Sequence, residues 1–196
     1  VKVIRPDINE CFEDFRINNE NFFYALGAIK AVGFQAISNI IDERDKNGKF
    51  TSIGNFLKRI DPKDINKLQL EGLVKAGAFD NLNSNRHSLH VSIPNWISKS
   101  KNIYENKVAK QIDLFGENAN EEEDIIENKE DWKFEERLSK EFDSVGFFIS
   151  DHPLNQFKEI FNDYNIKEYQ TLMNDNEINT SNIAATLLKV QERKTA

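Results

Sequence analysis

Five consecutive residues, Gln111, Ile112, Asp113, Leu114 and Phe115, combine one amide with three apolar side chains at a sharp charge boundary. Residues 51–110 carry ten Lys and Arg against five Asp and Glu, whereas residues 111–143 carry four against thirteen. On a polar tether such apolar side chains are not absorbed into a core. They stay available for a partner's apolar pocket, and the Gln111 amide suits a polar one. The chemistry here is recognition, with no bond made or broken.

A second candidate lies at 26–41. An apolar position, the small-residue turn Lys30, Ala31, Val32, Gly33, and then apolar residues at Ala36, Ile37, Ile40 and Ile41 match a helix-hairpin-helix pattern. A tight turn at a helix N-terminus aims backbone N–H groups and about half a positive charge at a phosphate. Lys30 adds a point charge beside it. The pattern's first glycine is Ala31 here, and alanine enters the left-handed region only at a steric cost. Residues 73–80 read as a second, degenerate copy with Lys75 and Gly77, and Arg86 stands at the start of the helix after it. Two copies joined by a connector helix, here Ser52 to Ile60, resemble a tandem helix-hairpin-helix domain, and that resemblance implies a grip on the duplex backbone without sequence reading.

Catalytic groups are sparse. His87, His90 and His152 lack ordered Cys or acid companions, and His87 and His90, three apart on a helix, read as exposed polar surface. No Ser/His/Asp set or glycine-rich nucleotide loop is visible. The acids at 121–124, with Glu127, Glu130 and Asp131, read as a solvated, mobile linker. We therefore expect no catalytic residue, no metal ligand and no cofactor in this chain.

The elements that must position these groups follow from periodicity. Aromatic runs at 11–17 and 22–26 around Asn18 to Asn21 predict a β-hairpin. Thr51 or Ser52 should cap a helix ending before Pro62, and a helix over 64–75 should turn Ile65, Leu68, Leu70, Leu73 and Val74 inward. Another helix should run from Asn85 until Pro94 interrupts it. Helix returns at 133–143 with Phe134, Leu138 and Phe142 on one stripe, and again after Pro153. Residues 183–190 have strand-like character.

The chain has 196 residues, 39% hydrophobic and 30% charged, enough for one or two domains. Apolar runs are too short to cross a bilayer, so no membrane is expected as a partner. A single cysteine, Cys11, excludes an internal disulfide and suits a reducing cytosol. The net charge of −7 averages a basic segment with an acidic one and leaves room for local nucleic-acid binding. Both ends read as cut, since the chain opens as if inside a strand and closes just after one.

Taken in order, LGAIKAVGFQAISNIIDER, LEGLVKAGAFDNL, QIDLF and GFFISDHPLNQF resemble the C-family of bacterial replicative DNA polymerases, the DNA polymerase III alpha subunits. The resemblance covers nearly the whole chain. It implies a mainly α fold: 1–25, the end of the fingers with a short N-terminal β-hairpin; 26–99, a tandem helix-hairpin-helix region; 100–133, an acidic linker with a sliding-clamp-binding motif; 134–180, a helical connector; 181–196, the first strand of a truncated OB-fold. It implies duplex DNA, a sliding clamp and other holoenzyme subunits as partners in a cytoplasmic setting. DNA contact falls to Lys30, Ala31, Val32, Gly33, Lys75, Gly77 and Arg86, and clamp contact to Gln111, Ile112, Asp113, Leu114 and Phe115. The polymerase carboxylates and their Mg²⁺ would lie N-terminal to Val1. A helix-hairpin-helix repair or nuclease enzyme, an error-prone paralogue, or an interaction linker without DNA contact are the rival readings. A carboxylate metal cluster would favour the nuclease, and the basic balance of 51–110 speaks against the pure linker.

Overall fold

The N-terminal strand β1 (Lys2–Ile4) pairs in parallel with β3 (Asn21–Phe23), which pairs antiparallel with β2 (Arg16–Asn18). The expected hairpin is present, with Asn19 in the left-handed region of a two-residue turn, and β1 adds a third strand. The computed structural model describes residues 1–108, 126–174, 180–188 and 190–193, in two units, 1–150 and 151–196. The chain is mainly helical.

In the first unit a 3-10 turn (Leu26–Ala28) precedes α1 (Phe34–Asn47), which buries Ile37, Ile40 and Ile41 as the spacing predicts. Ser52 caps α2 (Ile53–Arg59) by accepting the Asn55 N–H at 3.1 Å. The helix expected over 64–75 starts later. Pro62–Asp64 is a 3-10 turn, and Asn66 caps α3 (Lys67–Lys75) reciprocally with Gln69. Leu68 therefore falls on the outer face, 63% exposed, while Leu70, Leu73 and Val74 are buried.

Pro94 does not interrupt the next helix. α4 (Arg86–Val108) runs through it, because Leu89, Ile93 and Trp96 form one buried stripe spanning the proline. A mid-helix proline costs about 3 kcal/mol, and burial of a Leu, an Ile and a Trp outweighs that. The core is an edge-to-face aromatic chain: Phe50 on Phe56 at 5.1 Å, Phe56 on Phe79 at 5.2 Å, Phe79 on Trp96 at 5.9 Å.

Residues 126–133 correct the linker reading. They lie as a strap along the first turns of α4: the Glu127 N–H donates to Ser92 Oγ at 2.7 Å and the Lys129 N–H to Ser88 Oγ at 2.9 Å. Trp132 is buried, stacks on His87 and meets the His90 ring edge. The two histidines are thus half-buried partners of a tryptophan, not exposed polar surface. α5 (Phe134–Val145) follows and buries Leu138, Glu141, Ser144 and Val145, with Phe134 41% exposed in place of its expected inward position.

The second unit holds a 3-10 turn (Pro153–Phe157), α6 (Lys158–Asp163) and α7 (Tyr169–Asn174). An apolar hollow is lined by Leu154, Phe161, Ile166, Leu172 and Ile183. The strand expected at 181–196 is absent among the described residues, which supply it no pairing strand.

Candidate nucleic-acid interface

The turn before α1 is tight because the Val32 N–H closes onto the Ile29 carbonyl at 3.1 Å. Ile29 and Val32 are buried and pin the turn, leaving Lys30, Ala31 and Gly33 exposed. Ala31 has φ 63, so the pattern's first glycine position is left-handed here even with a Cβ. Gly33 has φ −80 and acts as N-cap without a capping side chain, and the first turn of α1 carries no acidic residue. The outward N–H groups of α1 thus meet no side-chain oxygen of their own. That is the geometry of an anion site at a helix N-terminus.

Behind the turn, α3 comes close at Gly72. A Cβ there would stand 2.8 Å from the Lys30 carbonyl oxygen and 3.2 Å from Val32 Cγ2. Only glycine permits that approach. On another side the Lys30 N–H donates to the Ser144 carbonyl of α5 at 2.9 Å.

The second copy is built differently. Gly77 has φ 83 and ends α3 in a Schellman motif, with its N–H on the Val74 carbonyl at 3.0 Å and the Ala78 N–H on the Leu73 carbonyl at 2.9 Å. Arg86 fills the space a side chain at Gly77 would need, since a Cβ would lie 2.1 Å from its Nη2. Arg86 is buried, donating to both Asp80 oxygens at 2.8 and 2.7 Å and to Glu141 Oε2 at 3.2 Å. The N-terminus of α4 is already served, with Asn85 Oδ1 taking the Ser88 N–H and Asp131 Oδ1 the His87 N–H. Lys75 is only 27% exposed and faces Glu71 at 3.7 Å.

The structure therefore brings Lys30, Ala31, Val32 and Gly33 together at an open helix end. It places Lys75, Gly77 and Arg86 in an internal joint, and Arg86 has no surface to offer a phosphate. Sequence reasoning missed Gly72, Glu141 and Ser144. Glu141 carried a signal, as a carboxylate at the i+3 position of the apolar stripe shared by Leu138 and Val145. Ser144 acts through its carbonyl and carried none. Gln111, Ile112, Asp113, Leu114 and Phe115 lie outside the described residues, as do the acids at 121–124.

A family model described as a helix-hairpin-helix motif matches residues 1–89. The DNA polymerase III subunit alpha of Borreliella burgdorferi is 33% identical over 203 residues, covering 99% of this chain and 18% of that protein. The chain belongs to the DNA polymerase III alpha subunit family. The alpha subunit of Rickettsia bellii is 36% identical over 91% of this chain and 15% of its own length. That of Escherichia coli is 33% identical over 82% and 14%. The chain thus spans less than a fifth of the length of these curated alpha subunits. Among the described residues no group of three or more His, Cys, Asp or Glu side chains is placed to hold a metal ion. No helix among them is long and apolar enough to cross a membrane.

Proposed function

We propose that this chain holds duplex DNA by its backbone and tethers a replicative polymerase to a sliding clamp, with nucleotide addition and its Mg²⁺ belonging to the rest of the alpha subunit. The observation that carries the DNA half is the uncapped N-terminus of α1 behind the left-handed turn at Ala31. A phosphate oxygen there meets N–H donors, the positive end of a 14-residue helix and the Lys30 ammonium. These contacts are to the backbone, so binding is independent of sequence. The clamp half rests on Gln111, Asp113, Leu114 and Phe115. Burial of Leu114 and Phe115 contributes roughly 1.5–3 kcal/mol each, offset by tether ordering, which leaves a micromolar contact. DNA held nearby raises the effective concentration of clamp and motif, so the two weak contacts cooperate. The setting is cytoplasmic, with the other holoenzyme subunits as further partners.

The test is a salt titration of duplex binding. The chain should bind at about 10⁻⁴–10⁻⁶ M, with log affinity falling by about 0.9 per phosphate neutralised as log salt rises. Lys30→Ala should reduce that slope by about one contact, equally on unrelated sequences. An unchanged slope would remove this turn from the interface.

A further inference from the structure

We infer that α5 is part of the DNA-binding site, with Glu141 as the positioning residue that sets the phosphate-facing turn from outside the helix-hairpin-helix motif; this rests on the DNA-binding reading above. The family model ends at residue 89. The turn it describes is nevertheless finished by residue 144, because the Lys30 N–H immediately before left-handed Ala31 is held by the Ser144 carbonyl. The position of that carbonyl depends on the last turns of α5, and those turns are fixed by Glu141.

Glu141 is 1% exposed, and its two oxygens face two ways. Oε2 accepts from Arg86 Nη1 at 3.2 Å, which joins α5 to the internal joint of the second hairpin. Oε1 accepts the N–H groups of Ile149 and Ser150 at 2.6 and 2.8 Å, folding the chain back after Gly146. Ser144 Oγ donates to the Glu141 carbonyl at 3.0 Å. A charged acceptor in a buried site ties these donors more strongly than a neutral one. One carboxylate thus ties the second hairpin, through α5, to the first hairpin's turn. The degenerate copy that offers no open helix end of its own supports the copy that does.

The experiment uses the full chain with Glu141→Ala and Glu141→Gln, reading amide hydrogen exchange by NMR and the salt slope of duplex binding. In Glu141→Ala the Lys30 amide should exchange at least about tenfold faster, while the amides of Phe56 in α2 and of Ile60 at its C-cap change less than about twofold. Glu141→Gln keeps an oxygen for Ile149 and Ser150 and should lie between; if the alanine variant unfolds, its selective effect at Lys30 decides alone. The slope should fall in step with the amide. A Lys30 amide that is unchanged, or that speeds up only together with α2, reduces Glu141 to a general stability residue and overturns the inference. An amide that responds while the slope does not would uphold the coupling and sink the DNA reading instead.

Discussion

Replacing Ala31 with glycine should stabilise the first unit, although glycine normally weakens a fold. The left-handed conformation costs a residue with a Cβ about 1–2 kcal/mol, and Ala31 sits in it with φ 63. Its methyl is exposed, so little burial is lost. Glycine instead adds about 0.4–1 kcal/mol of unfolded-chain entropy. The net gain is about 0.5–1 kcal/mol, which at about 2–4 °C per kcal/mol for a chain of this size raises Tm by roughly 1–4 °C. Urea denaturation followed by Trp fluorescence reads it. The control is Ala28→Gly, an exposed site without positive φ, which should lose about 0.5–1 kcal/mol. If Ala31→Gly destabilises as much as Ala28→Gly, the turn is not left-handed and the anion-site geometry falls with it.

Arg86→Ala should cost about 3–5 kcal/mol in denaturation, because it strands Glu141 in the interior, whereas Lys30→Ala should stay within about 0.5 kcal/mol. Acid should loosen the strap. Burial, then Lys75, Lys140 and His87, outweigh Glu71 and hold His90 below its ordinary 6.5. The unfolded chain therefore takes the proton first, so stability present above pH 6.5 is lost as pH falls through the lower folded value. Unfolding midpoints between pH 7 and 5 should drop in the parent and flatten in His90→Gln; parallel curves would refute this. Changing Leu114 and Phe115 together to Ala should abolish clamp binding in a titration while leaving Tm and duplex affinity in place, and unchanged clamp affinity would remove the motif from that role.

Much of the fold was legible because local rules decided it. The Ser52 cap, the spacing of Ile37, Ile40 and Ile41, and the turn at Asn19 each follow from neighbours in sequence. The failures share a cause in long-range packing. Pro94 reads as a break until Trp96 is seen buried beyond it. The acids of 126–133 read as solvated until Asp131 is found capping α4 and Trp132 found under two histidines. Arg86 shows the same limit at the site: a cation at a helix start suits a phosphate and a carboxylate equally, and the fold commits it to Asp80 and to Glu141, 55 residues away. At Lys30 to Gly33 the turn itself was legible, because a tight turn before a helix is local.

The most direct test is an amide-shift titration of the full chain with a short duplex at low salt. Shifts confined to residues 30–36 and weakening as salt rises are the predicted result. Shifts centred on residues 77–88, or none at 30–36 while binding is saturated, would contradict the assignment of DNA contact to the open end of α1.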